Sequence, residues 1–144
     1  MKRILFIVVV MMSVIIGCAN QDSDAQQDAE KEIIGTWTVF EMTHIANQDS
    51  GKMTEDTLQK YGLFEDYFFL EDHKFKQTGN LAGDGAVSTQ EGNWKITGNM
   101  MIMTLQMGTQ KMDVDYTWKL QEQILFLTRT FPDIKVELAL RKKQ

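Results

Sequence analysis

The feature that most constrains this chain is strict alternation. In residues 111–120, Met112, Val114, Tyr116, Trp118 and Leu120 fall on one side, and Lys111, Asp113, Asp115, Thr117 and Lys119 on the other. A period of two fits a β-strand and no helix, because successive strand side chains point to opposite faces. One dry face and one wet face mark an antiparallel sheet, since parallel strands are buried on both sides. Residues 134–141 repeat the pattern, with Ile134, Val136, Leu138 and Leu140 inward and Lys135, Glu137 and Arg141 outward. Extending this reading gives eight strands, at 34–43, 67–71, 75–78, 88–97, 101–107, 111–120, 124–130 and 134–141. Short polar turns join successive strands from 67 onward, which implies a meander, and eight strands is the number that closes into a small barrel. The fold class is therefore all-β, an eight-stranded antiparallel up-and-down β-barrel. Residues 53–62 break the alternation. Thr54 suits an N-cap, Glu55 and Asp56 favour the first turn, and Gly62 stops the helix. This short helix between the first two strands is expected to cover one barrel end with Leu58 and Tyr61.

The first 32 residues do not belong to that pattern. Lys2 and Arg3 precede an apolar run from Ile4 to Ile16 broken only by Ser13. At ~1.5 Å per helical residue the run falls short of a ~30 Å hydrocarbon core, so it reads as a signal peptide over 1–17. Ile15-Ile16-Gly17-Cys18 resembles the lipobox of bacterial lipoproteins, and Cys18 is the single cysteine of the chain. The resemblance implies cleavage before Cys18, its acylation, and a membrane anchor that does not span the bilayer. No other thiol would remain for a disulfide or a nucleophile. Residues 19–32 lack aromatic and β-branched side chains and are rich in Gln, Asp, Ala and Glu, so residues 18–32 read as a lipidated cysteine and a disordered tether. Ala19, rather than Asp, follows the cysteine. An Asp there would hold an enterobacterial lipoprotein at the inner membrane; its absence, with an acidic tether that resembles the surface-export signals of Bacteroidetes lipoproteins, implies a cell-envelope protein anchored at the outer membrane and facing either the periplasm or the surface. The folded domain then occupies 33–144.

Charge excludes one class of partner. Loss of Lys2 and Arg3 moves the net charge from −5 to −7, and an acidic domain offers nucleic acid no basic face. Catalysis also finds little support: His44 and His73 have no nucleophile or zinc spacing, and the loop 79–85 lacks the lysine of a phosphate loop. Glu41 alternates with Trp37 and Val39 and reads as a rim residue. Five methionines lie between Met100 and Met112. Copper would need their sulfurs to converge, whereas alternate residues of one strand lie ~6.6 Å apart and point the same way, so Met101, Met103 and Met107 turn inward as an adaptable wall. Neither a metal nor a cofactor is expected.

The residues Gly35-Thr36-Trp37, Phe69-Leu70-Glu71-Asp72-His73-Lys74-Phe75 and Gly92-Asn93-Trp94, with seven strands after the first, resemble the lipocalin and fatty-acid-binding (calycin) superfamily. Residues 33–142 look most like the lipocalin-like domains of Bacteroidetes lipoproteins. The resemblance implies a small hydrophobic or amphipathic ligand in the barrel, lined by Trp37, Phe69, Phe75, Trp94, Met101, Met103, Tyr116 and Trp118. Arg129 shares a face with Leu125, Leu127 and Phe131. It is expected either to clamp a ligand carboxylate, as in fatty-acid-binding relatives, or to cover Trp37 by a cation–π contact, as lipocalin arginines do. The covering role is favoured, with Arg141 as the other arginine available for it. A barrel of this size can also pack solid. A filled scaffold or partner-binding module is therefore the second expectation.

Overall fold

The computed structural model describes residues 21–47, 49–81 and 85–144. The signal segment 1–17 and Cys18 lie outside them. The elements run α1 (Gln21–Ile33), β1 (Gly35–Ala46), β2 (Ser50–Met53), α2 (Glu55–Lys60), β3 (Glu65–Phe69), β4 (Lys74–Gly79), β5 (Ser88–Thr97), β6 (Met100–Met107), β7 (Gln110–Gln121), β8 (Ile124–Thr130) and β9 (Ile134–Lys142). Each strand from β3 to β9 pairs with the next, and β1 pairs with both β3 and β9, so eight antiparallel strands close into a barrel.

β1 is the strand that makes closure possible. Its first four residues pair with β3, and the register against β9 then shifts between Val39 and Glu41. This bulge bends the strand and turns Phe40 outward, under the Arg141 guanidinium at 4.7 Å. Beyond the bulge β3 no longer reaches β1. The ninth, short strand β2 takes that edge instead, pairing Met42–Ile45 with Ser50–Met53. The sequence pattern did not reveal β2, because four residues of SGKM carry no legible alternation. α2 follows it. Leu58 is buried as expected, but Tyr61 is 65% exposed and covers nothing. The helix stops where Gly62 adopts a φ of +64°, which lets the Leu63 amide reach back to the Leu58 carbonyl.

The segment expected to be a disordered tether is corrected over most of its length, since Gln21–Ile33 is helical. Docking rather than composition explains this. The Gln26 amide donates to the Ile96 carbonyl, Ala29 packs on the core, and Ile33 is fully buried. Tertiary contact supplies what a short polar helix lacks alone. α1 thereby closes one end of the barrel, hereafter the base.

The base half is packed solid. Trp37, Phe69, Phe75, Trp94, Met101, Met103, Leu125, Leu127 and Leu140 are each at most 2% exposed. Phe69 and Trp94 meet edge to face at 5.3 Å. Three indoles secure the ends of the elements: Trp37 donates to the Ile33 carbonyl, Trp94 to that of Leu70, and Trp118 to that of Gly98. The opposite end is looser. Met107, Met112 and Ile134, expected to point inward, are 57%, 42% and 44% exposed, because their strands run past the barrel rim there.

Two substitutions test this packing. A Cβ at Gly92 would lie 2.0 Å from the Thr104 carbonyl oxygen on β6. Gly92→Ala is therefore expected to cost about 1–3 kcal/mol, read as a lower urea midpoint. Trp37→Phe leaves the buried Ile33 carbonyl without its donor, a loss of about 1–3 kcal/mol. It should also accelerate amide hydrogen exchange in α1 while leaving β7 protected.

Candidate functional site

Above the packed base the interior changes character. A cavity of about 240 Å³ is lined by Met42, Glu65, Tyr67, Leu81, Tyr116, Arg129, Phe131, Val136 and Leu138. Two of these residues place it at the end opposite α1. Leu81 belongs to the β4–β5 connection, and Phe131, 40% exposed, begins the β8–β9 turn.

The polar residues come from four strands and reach one another across the lumen. Glu65 and Tyr67 are inward positions of β3, and the Tyr67 ring stacks on Phe69 at 6.1 Å, the top of the packed core. The Tyr67 hydroxyl donates to Glu65 Oε1 at 2.8 Å, and Gln77 of β4 donates to the same oxygen. On the far wall Tyr116 of β7 stands beside Tyr67 and beside Arg129 of β8, close enough that each bears on its ionisation. The Arg129 guanidinium lies over the Phe131 ring at 4.6 Å. A carboxyl thus stands at one end of a chain of two phenols, with a guanidinium at the other.

Burial sets the protonation of this chain. It raises the Glu65 carboxyl above the ordinary 4.5, and the hydrogen bonds from Tyr67 and Gln77 oppose it only in part. Tyr67 is held well above 10.0 by burial first, then by the neighbouring Tyr116 and Glu65 charges. Burial raises Tyr116 too, against the pull of Arg129. Both phenols are therefore neutral donors at physiological pH.

The residues expected to line a ligand divide sharply. Tyr116 and Arg129 stand on the cavity. Trp37, Phe69, Phe75, Trp94, Met101 and Met103 pack on one another beneath it. Trp118 sits at the base, where it edges a shallow crevice against Ala29 and Glu32 of α1. Arg129 does not cover Trp37. That place is taken by the Lys142 ammonium, 5.4 Å from the ring centroid and bonded to the Glu32 carbonyl. Arg141 points outward, to Phe40 and to Glu55 of α2. Glu41 is engaged by Lys52 at 2.8 Å. The sequence reading passed over Glu65, Gln77, Met42 and the role of Tyr67. One signal was available: Glu65-Asp66-Tyr67-Phe68-Phe69 extends the alternation two residues before the expected strand start.

Among the described residues no group of three His, Cys, Asp or Glu side chains is placed to hold a metal ion. His44 stands 4.0 Å from Asp49 near the open rim, and His73 lies against Trp94 at the base.

No protein-family model matches the chain, and no curated protein matches it in sequence. Solved structures with a similar fold include a lipocalin-like protein from Bacteroides uniformis, 18% identical, covering 78% of this chain and 99% of that one with a TM-score of 0.49. An uncharacterised protein from Bacteroides eggerthii is 13% identical over 76% of this chain and 98% of its own, with a TM-score of 0.49. A mutant of the fluorescent protein UnaG is 9% identical over 79% and 98%, with a TM-score of 0.45. These likenesses concern the fold alone. The chain itself is a closed eight-stranded antiparallel meander with a short helix after its first strands.

Proposed function

We propose that this chain is a lipid-anchored protein of the bacterial cell envelope whose barrel binds a small amphipathic molecule at its open end. The observation that carries the reading is the 240 Å³ cavity, with apolar walls of Met42, Leu81, Val136 and Leu138 and a polar chain from Glu65 to Arg129. A few placed polar groups in an apolar concavity are the ordinary makings of a small-molecule site. Its volume lies below the ~300–1,000 Å³ of drug-sized pockets, so the enclosed part of the ligand is small. The proposed role is binding rather than catalysis. The anchor rests on the lipobox at Cys18, in keeping with a location at the outer membrane.

The second reading, a scaffold or partner-binding module, draws on the solid packing of the base half. Titration separates the two. Addition of 1-octanol to the domain is expected to shift the amide resonances of Tyr116 and Arg129 while those of Trp94 and Ile96 stay in place. Val136→Trp, which fills the cavity, should weaken that binding at least tenfold. Resonances that ignore octanol, together with a bare mass for the protein purified from its own host, would favour the scaffold. The anchor has its own check: Cys18→Ala should move the protein from the membrane to the soluble fraction and abolish incorporation of labelled palmitate.

A further inference from the structure

The cavity holds one permanent cation and one ionisable carboxyl, and this arrangement limits what else can enter. Arg129 is always charged, and its guanidinium has Phe131 on one side and the Tyr116 hydroxyl on another. Tyr67, bonded to Glu65, and Tyr116, beside Arg129, stand between the two. The hydrogen bonds to Glu65 from Tyr67 and Gln77 both end on Oε1, which leaves Oε2 without a bond from the described residues. Such a space compensates one buried negative charge at small cost. A second would be desolvated without a partner.

We propose that the open-end pocket takes up a small organic monoanion together with one proton, the anion on Arg129 and the proton on Glu65. This rests on the reading of the cavity as a ligand site and adds to it the proton that enters with the anion. The anion's oxygens accept from the guanidinium, and its apolar part lies against Met42, Val136 and Leu138. The proton comes from solvent, and no bond to carbon forms or breaks. Once the ligand neutralises Arg129, the charged form of Glu65 loses its distant counter-ion and gains a like-charged neighbour. Both effects favour the neutral acid.

The sign of the resulting linkage is fixed. Burial already lifts Glu65 above 4.5 in the empty barrel, and a bound anion lifts it further. Below the empty-state pKa the acid is already protonated and affinity is independent of pH. Between the two pKa values affinity falls as pH rises, by at most tenfold per pH unit. The groups facing Glu65 are few. β3 contributes Tyr67, β4 the uncharged Gln77, β7 Tyr116 and β8 Arg129, whereas β9 contributes Val136 and Leu138. β1 contributes Met42 and, further out at the rim, His44, which packs over Gly51 near Asp49. His44 is the competing source of any pH dependence and must be separated from Glu65.

Calorimetric titration with octanesulfonate, charged at every pH, against 1-octanol as the neutral control, between pH 5 and 8, tests the proposal. Octanol reports desolvation of Glu65 alone. The expected result is a steeper loss of octanesulfonate affinity with rising pH than of octanol affinity. Titrations in buffers of different ionisation heat should show uptake of up to one proton per anion. Glu65→Gln should flatten the octanesulfonate profile and bind more tightly than the native protein at pH 8. His44→Asn should keep the native slope, and Arg129→Met should bind octanol but lose octanesulfonate. The proposal fails if the two native slopes coincide without proton uptake, if the slope survives Glu65→Gln, or if it disappears with His44→Asn. Octanol binding without octanesulfonate binding overturns it too, while leaving the small-molecule site standing. Binding of neither removes the site and the proposal with it.

Discussion

Everything in this molecule follows from the pairing of β1 with β9. Residues from Trp37 to Ala46 lie against Lys142 to Ile134, and this single ladder turns an open meander into a barrel without long free edges. Closure forces eight inward faces to converge on one axis, where an eight-stranded barrel has just enough room for side chains. The bulge at Phe40 lets β1 serve β3 at the base and β2 nearer the rim while keeping β9 along most of its length.

That shared interior is used in two ways. At the base, large aromatic and sulfur side chains fill it, and α1 seals it through a buried isoleucine and one amide donated to Ile96. The three indole N–H groups donate to carbonyls at the end of α1 and at the turns, so each indole nitrogen at the base has a partner. Toward the rim the same inward positions carry Glu65, Gln77, Tyr116 and Arg129. A half-buried carboxyl and guanidinium are tolerable there because two phenols stand between them and the cavity keeps them near water. Stability is concentrated at the base, and chemistry stands at the rim.

Most of the fold was legible because it rests on burial with a period of two. Strands β5 to β9 follow the expected register to within two residues at either end, since each must present Trp, Leu, Ile, Val or Met to one face. What the pattern could not supply was information carried by other parts of the chain. The helix α1 has a polar composition and owes its order to a barrel surface far along the sequence, including Ile96. β2 exists because β1 outruns β3, a fact of strand length rather than of the residues SGKM. Inwardness likewise does not mean burial. Met107 and Met112 continue the dry face of their strands yet emerge at the rim, because alternation gives a side chain's direction and not its depth.

The candidate site was harder to read for a related reason. A search for inward apolar residues finds the core, and here the core is the half that is already full. The cavity is defined instead by residues that break the apolar pattern while keeping its phase: Glu65 two before Tyr67, Gln77 two after Phe75, and Arg129 two after Leu127. Arg129 stands out in the sequence because a cation on a dry face is not explained by solvation. Glu65 does not stand out, because the apolar alternation begins only at Tyr67 and an acid next to a turn reads as a solvated one. Local rules are most often violated where a protein does its work. In a barrel, a charged residue in phase with the inward face therefore points to the binding site more directly than the largest aromatic side chains do.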